Sequence, residues 1–358
     1  MNILVGLSGG IDSTVAAYLL KEQGHHVEGA TMMIWGEGRK MPNHLSSNSC
    51  FSPNEKEDVK ETAELCKKLG IEYHTLDCAD IYEKTVLENF RSEYLSARTP
   101  NPCVWCNTKI KFGALVEAAR SSGLVFDKFA TGHYARIRYN EKSGRWELLK
   151  AIDKKKDQSY FLYRLSQEQL ARTIFPLGEM EKTEVRKIDV ALGFHKEGME
   201  ESQDFYPGDY SDLIGAKDKI GRIVTTDGLQ VGHHNGFWHY TIGQRKGLGV
   251  AAARPLYVVA LDSLKNEVIV GYEEETHQKT VFASDVAFSS ETEFDPDEEY
   301  IVKIRSAHQG SPAHVYRTED GFRVEFIDFV KAATRGQSAV VYDRNDRVIA
   351  GGIIEEAR

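Results

Sequence analysis

Short apolar runs of strand length alternate with amphipathic stretches along the first 130 or so residues. Ile3 to Leu7 is the first run, and Ser8-Gly9-Gly10 ends it. Asp12 and Ser13 then open Val15 to Leu20, which predicts a helix stopping near Gly24. His26 to Met33 predicts a second strand. The polar stretch from Trp35 to Pro53 that follows is long for a compact domain and marks a functional or mobile loop. Glu55 to Leu69 places Val59, Thr62, Ala63, Cys66 and Leu69 on one helical stripe, with Gly70 as the stop. Glu72 to Leu76 predicts a third strand, Ile81 to Leu95 and Ile110 to Ala119 helices, and Lys128 to Thr131 a strand closed by the turn Gly132-His133. This alternation predicts an α/β, doubly wound parallel sheet with its site along the carboxyl edge.

From about Trp146 the pattern changes. Lys150 to Gln158 is polar and basic, and Ser159 to Leu170 and Lys182 to Leu192 have helical spacing, closing a first domain near residue 205. Glycine-rich, strand-like segments come next at Gly221 to Val231 and Gly236 to Gly249. Tyr257 to Gly271 alternates as two strands with a turn at Lys265-Asn266. The remaining chain carries short strands at Ile301–Ile304, Ala313–Tyr316, Phe322–Phe326, Ala339–Tyr342 and Val348–Ile354, with hairpin turns at Asp320-Gly321 and Arg344-Asn345-Asp346. A small β-barrel is the expected product. No internal repeat or low-complexity tract interrupts the series.

Composition narrows the picture. The 358 residues suffice for two or three domains, and no apolar run is long enough to span a bilayer. The first strand begins at once, leaving no room for a secretory leader, so a cytoplasmic location is expected. A net charge of -9 argues against a nonspecific polyanion binder but leaves room for a local basic surface. The five cysteines, Cys50, Cys66, Cys78, Cys103 and Cys106, are an odd number, which points to reactive or metal-bound thiols rather than a disulfide framework.

Two stretches carry chemistry. In Ile3–Ser13 a buried strand, a glycine-rich turn and a helix start form an anion cradle, with backbone close to the ligand and helix N–H groups aimed at it. The segment lacks the Lys-Ser/Thr of a P-loop and the Gly-x-Gly-x-x-Gly spacing of dinucleotide enzymes. Two glycines, two serines and an aspartate at one turn exceed what packing needs. The second stretch is Thr99-Pro100-Asn101-Pro102-Cys103-Val104-Trp105-Cys106-Asn107. Its two cysteines, three apart before a helix carrying Lys109 and Lys111, should be good nucleophiles or ligands. Cys-x-x-Cys alone fits a zinc half-site, a redox pair or part of an iron–sulfur site. No partner pair at finger spacing exists, which disfavours structural zinc.

Ser8-Gly9-Gly10-Ile11-Asp12-Ser13 resembles the pyrophosphatase loop of enzymes that cleave ATP to AMP and pyrophosphate. In order along the chain follow Asn-Pro-x-x-x-Cys-Asn, Thr131-Gly132-His133-Tyr134-Ala135-Arg136, Lys156-Asp157-Gln158-Ser159-Tyr160, the segment His239 to Gly249, and Gly351-Gly352-Ile353-Ile354. The set is similar to the tRNA-specific 2-thiouridylase family across nearly the whole chain. The resemblance implies an ATP pyrophosphatase domain (residues 1–205), a central tRNA-binding domain (206–275) and a C-terminal β-barrel (276–358). It also implies an enzyme that adenylates the C2 oxygen of uridine 34 in the tRNA anticodon stem-loop and replaces it with sulfur, with ATP and Mg²⁺. Gly6, Leu7, Ser8, Gly9, Gly10, Ile11, Asp12, Ser13, Met32 and Gly132 would bind ATP. Asn101 and Pro102 would lie against the flipped target base. His133, Lys156, Asp157, Gln158, Arg305 and Gln337 match positions that touch tRNA, and Arg245 and Lys246, among glycines, suit phosphate contact. Sulfur would come from a donor protein or free sulfide.

One departure stands out. Many relatives pair two separated cysteines, one nucleophilic and one carrying a persulfide. Cys106 holds the first position; the second aligns with Tyr206, or with Phe205 at the nearest alternative, and a phenol cannot carry sulfane sulfur. Relatives also often have an acidic residue at the position of Cys103. Three explanations stay open. Cys103 and Cys106 could join Cys50, with Cys78 in reserve and Cys66 read as core, to hold a [4Fe–4S] cluster with one iron free for sulfide. The two could instead transfer and resolve a persulfide between themselves. Or the chain has lost thiolation and only binds or adenylates RNA, although a pure binder needs no pyrophosphate cradle.

Overall fold

The structure, a computed structural model, describes residues 1–35, 51, 54–196, 198, 205–206 and 208–358. Cys50 and most of the Trp35–Pro53 loop therefore lie outside the described residues. The first unit is built on β1 (Asn2–Gly6), α1 (Ile11–Glu22), β2 (His26–Met33), α2 (Glu55–Leu69) and β3 (Glu72–Asp77). Helices over residues 79–95 and 102–121 follow, then β4 (Lys128–Thr131), the hairpin β5 (Ala135–Asn140) and β6 (Arg145–Lys150), and β7 (Thr173–Ile174). The five-stranded sheet runs β3-β2-β1-β4-β7, every pair parallel. Strand order reverses beside β1, so the crevice between the ends of β1 and β4 is the switch point where such sheets take ligands.

The apolar pattern explains these elements. Ile3, Leu4 and Val5 are buried on both faces of β1, as a central parallel strand requires. The buried face of α2 is Thr62, Leu65, Cys66 and Leu69, and Gly70 ends it in a left-handed cap. Both long helices carry widened turns, Glu83–Leu87 in the first and Cys106–Ala114 in the second, a local unwinding often found at functional sites.

The second unit pairs β8 (Gly221–Thr225), β9 (Gln230–His234), β10 (Tyr257–Asp262) and β11 (Glu267–Gly271) in the order β10-β11-β8-β9. The third is a closed six-stranded barrel of β12 (His277–Phe288), β13 (Tyr300–Lys303), β14 (Ser311–Arg317), β15 (Gly321–Lys331), β16 (Ser338–Tyr342) and β17 (Val348–Ala357). No described helix is long and apolar enough to cross a membrane.

Three expectations need correction. Ser159 to Leu170 is not one helix: a short turn at Ser159–Phe161 is followed by a new helix, Gln167–Ala171, started by a Ser166/Gln169 capping box. Gly236 to Gly249 is not a strand, because Gly243, Gly247 and Gly249 adopt left-handed conformations that break extended pairing. The β5–β6 hairpin and the long β12 lie where no strand is predicted.

Candidate active site

At the end of β1 the chain turns through Gly9 (φ 73°) into α1, with Gly10 at the cap and no side chain capping the helix. The first N–H groups of α1 are thus left for an anion. Side chains brace the loop from within. The Ser13 hydroxyl accepts from Ser8 N–H (3.2 Å) and donates to the Gly10 carbonyl (3.1 Å), to which Thr14 also donates (3.0 Å). Ser8 is exposed and its hydroxyl sits 3.3 Å from that of Ser13. Leu7 and Ile11 are buried and anchor the loop's two ends.

Gly132, after β4, closes the other side. A Cβ there would lie 2.6 Å from the backbone of Asp12 and Ser13, so only glycine lets the end of β4 meet the start of α1. Gly6 lies under Phe129, and Met32, in register with Leu76, is half-buried at the end of β2. The sequence-predicted cradle residues are therefore adjacent, except that Met32 stands one strand over.

Two residues that sequence reasoning missed complete this end. The buried Lys182, at the start of the helix Lys182–Leu192, places Nζ 2.6 Å from Asp12 Oδ1, and the Tyr134 hydroxyl donates to the same oxygen at 2.9 Å. An ammonium held at a loop built for phosphate is a counter-charge in place before the ligand arrives. Asp153 fixes its backbone, accepting from Lys182 N–H (3.0 Å) and from those of Lys155 and Lys156. Burial would raise the Asp153 carboxyl, but these three donors hold it below its ordinary range. The signal was present in Glu181-Lys182-Thr183-Glu184: a lysine at the first turn of a helix, where a cation is unfavourable unless it has a partner.

The cysteine helix begins at Asn101-Pro102, with proline at the first helical position. Cys103 is half-buried; Cys106 is 9% exposed and packs in the apolar cluster that holds Cys78, Phe51 and Tyr206. Cys78, just past β3, donates its N–H to the Met33 carbonyl at 2.8 Å. It is only 2% exposed. Burial first, then the charges of Asp77 and Cys106, push its thiol up to about 11. Cys106 shares this buried cluster with Cys78, which lies at the carboxyl end of β3 in the sheet whose β1 and β4 ends form the cradle. Among the described residues, Cys78, Cys103 and Cys106 do not converge as a set of three metal ligands; Glu28, Glu72 and His74 form such a set. Cys66 is a core thiol pushed up to about 12 by burial.

The barrel clamps the approach to these cysteines. Thr99 N–H donates to the Arg335 carbonyl (2.8 Å), and the Gln337 amide donates to the carbonyls of Pro100 (3.0 Å) and Thr99 (3.3 Å). Asn101 is buried, and the Tyr160 O–H donates to the Ser338 carbonyl at 3.0 Å. Arg98 reaches Glu355 of β17 with two hydrogen bonds of 2.6 and 3.1 Å.

The place expected to hold a second thiol is filled. Tyr206 is 2% exposed, donates to Asp212 at 3.0 Å and packs on Phe51, with ring centroids 6.5 Å apart. Phe205 stacks on Phe51 at 6.1 Å and meets Phe90 at 5.3 Å. Burial and the Asp212 carboxylate raise the phenol's pKa, so it stays protonated.

The residues matched to tRNA contacts are spread over all three units. Gln158 is tied to the Tyr134 backbone, accepting at 2.9 Å, while Asp157 accepts from Ala151, Ser159 N–H and the Ser159 hydroxyl. His133 lies between Phe112 and Phe175, bonded to Thr131 at 2.8 Å, and burial followed by Lys111 keeps its ring neutral. Arg245 and Lys246 are exposed on the 240–249 loop; Arg305, on the barrel, donates to the Lys331 carbonyl at 2.8 Å.

Three family profiles match in order: "tRNA methyl transferase HUP domain" over residues 1–206, "tRNA methyl transferase PRC-barrel domain" over 214–272 and "Aminomethyltransferase beta-barrel domain" over 278–354. The chain is 44% identical to the tRNA-specific 2-thiouridylase MnmA of Endomicrobium trichonymphae, covering 99% of each chain. It is 43% identical to MnmA 2 of Thermoanaerobacter sp. (strain X514), over 99% of this chain and 97% of that one. With the protein of Clostridioides difficile (strain 630) the identity is 39%, over 99% and 98%. A sheet with an anion cradle at its switch point, a cysteine helix at the same edge and full-length identity of this order lead to one conclusion: the chain belongs to the tRNA-specific 2-thiouridylase family.

Proposed function

We propose that this chain is an ATP-dependent tRNA-uridine 2-sulfurtransferase acting on uridine 34. The observation that carries the reading is that a phosphate cradle with its own ammonium and a Cys-x-x-Cys helix share one sheet edge, so activation and sulfur insertion can address one base. The Ser8–Ser13 backbone and Lys182 would hold the ATP phosphates, with Gly132 shaping the wall and Met32 beside the nucleotide. The uracil C2 oxygen attacks the α-phosphorus and pyrophosphate leaves, its charge met by Lys182; a bound Mg²⁺ would add further neutralisation of the phosphates. Sulfur then adds at C2, and AMP departs with the former carbonyl oxygen. Asn101 and Pro102, clamped by the barrel, would wall the pocket of the flipped base. Lys156, Arg245, Lys246 and Arg305 would meet the tRNA backbone, with His133, Asp157, Gln158 and Gln337 shaping that face from within.

Tyr206 cannot serve as a persulfide carrier, so sulfur handling falls to Cys103 and Cys106. The reading we favour adds Cys50 as a third thiolate for a [4Fe–4S] cluster. Such a cluster would supply an open iron position for sulfide. Persulfide exchange between Cys103 and Cys106 is the second reading, supported by their single-turn spacing on one helix. An adenylate-only tRNA binder is the third.

Anaerobically purified protein, ATP, tRNA and sulfide should yield 2-thiouridine by nucleoside mass spectrometry, and no thiolated product in any preparation would overturn the assignment. Iron and acid-labile sulfide near four per chain, lost in Cys50→Ala, would select the cluster. Iron-free thiolation that requires a persulfide donor in place of sulfide, and that leaves a Cys103–Cys106 disulfide as the sulfur is delivered, would select the persulfide route; tRNA-stimulated ATP–pyrophosphate exchange without thiolation would select the third reading.

A further inference from the structure

A second polar pair, His195 with Asp189, touches the pyrophosphate loop. The helix Lys182–Leu192 ends at Gly193, whose φ of 61° allows the chain to fold back. Gly193 and Phe194 N–H groups return to the carbonyls of Val190 (3.2 Å) and Asp189 (3.3 Å), and Phe194 packs edge-on against Tyr18 of α1 at 6.0 Å. This turn carries His195 onto the loop. Its Nε2 lies 2.8 Å from the Gly9 carbonyl oxygen and its Nδ1 2.7 Å from Asp189 Oδ1. The two side chains are 6% and 3% exposed.

A proton inventory fixes the ring's state. A backbone carbonyl only accepts, so Nε2 carries a proton; an ionised carboxylate also only accepts, so Nδ1 carries one as well. The ring thus stands directly behind Gly9, its Nε2 on the peptide carbonyl. The geometry of the loop shows what it controls. Carbonyl and N–H of one peptide point in opposite directions, so holding the Gly9 carbonyl on His195 turns the Gly10 N–H away from it. Gly9 adopts a left-handed φ of 73°, and Gly10 caps α1 without a side-chain partner. The orientation of this one peptide therefore decides how the helix start presents its donors.

We propose that His195 and Asp189 are a positioning dyad that locks the Gly9–Gly10 peptide for the polyphosphate of ATP and adds a buried positive charge behind it. The proposal rests on the reading of Ser8–Ser13 as an ATP cradle. Asp189→Asn separates its two parts: an asparagine amide can donate to Nδ1 of a neutral ring, which keeps Nε2–H on Gly9 but loses the charge.

The test combines calorimetry with Mg·ATP, filter binding of tRNA and ¹⁵N NMR of the full-length protein. His195→Ala should weaken ATP binding about tenfold and Asp189→Asn about threefold, the range of one charge-assisted hydrogen bond and of its charge alone. Affinity for tRNA should not change in either variant, which separates loop positioning from a general loss of fold. In wild type both ring nitrogens of His195 should report as protonated, and in Asp189→Asn only one. Equal ATP affinity of wild type and His195→Ala, or an unprotonated ring nitrogen in wild type, would overturn the dyad while leaving the cradle standing. Failure of the wild type to bind ATP would overturn both.

Discussion

The two ends of the candidate site are built in opposite ways. The backbone of the cradle end is braced from within the turn, Ser8, Gly10, Ser13 and Thr14 holding one another, while Tyr134, Lys182 and His195 reach Asp12 and Gly9 from distant segments. The sulfur end is positioned from a distance. Cys103 and Cys106 start a helix whose approach is clamped by barrel residues Arg335, Gln337 and Ser338 and whose neighbours are aromatic rings from distant segments. Phosphate binding needs fixed backbone donors, which a local turn can supply. Sulfur chemistry needs a dry, enclosed thiol, which only packing of several units can supply. The consequence is that damage to the barrel should harm sulfur insertion before it harms ATP binding.

Substitutions sharpen this contrast, and the largest effect should come from Cys106→Ala. It should abolish 2-thiouridine formation while leaving the ATP dissociation constant within twofold, as calorimetry can check; the reverse pattern would merge the two ends into one. Lys182→Met should lower kcat/KM for ATP by about 10²-fold, the scale of a preorganised counter-charge, with little change in tRNA affinity. Next, Gln337→Ala should reduce thiolation several-fold through the Thr99–Pro102 approach, yet leave tRNA-independent ATP binding unchanged. Tyr206→Phe should cost about 1–2 kcal/mol in urea denaturation by stripping Asp212 of a buried donor, with thiolation within twofold. A larger loss of thiolation would give the phenol a chemical role.

The smallest effect concerns pH. Burial lifts the Cys78 thiol from 9.0 to about 11. A raised folded value means its contribution to stability is complete below pH 9.0 and is lost as the pH rises towards about 11. Cys78→Ser should flatten that alkaline decline in thermal melts recorded across the same window.

Much of this was legible because local rules and tertiary structure agree. The strand-turn-helix at Ile3–Leu20, α2 with its Gly70 stop, and the barrel hairpins all rest on periodicity or turn chemistry that the fold keeps. Failures occur where packing overrides pattern. Tyr160, Leu162, Tyr163 and Leu165 have helical spacing but are buried on several sides of an irregular segment. The β5–β6 hairpin hides its strand signal because Glu147, with 0% exposure, is a core position. Burial would raise its carboxyl, but donors from Asn140, Arg138 and Arg347 hold it low. The roles of Lys182 and His195 were hidden for a different reason, even though the helix start at Lys182 carries a local hint. Lys182 and His195 each reach the cradle across more than 150 residues of chain, and no local spacing encodes that; Asp189 acts only through His195.

The most direct test of the account is a single-turnover reaction that counts AMP and 2-thiouridine together, in wild type and Cys106→Ala. The account predicts equal amounts of both from the wild type, and from Cys106→Ala continued release of pyrophosphate on tRNA addition with no 2-thiouridine. Formation of 2-thiouridine by Cys106→Ala, or by the wild type without ATP, would contradict it.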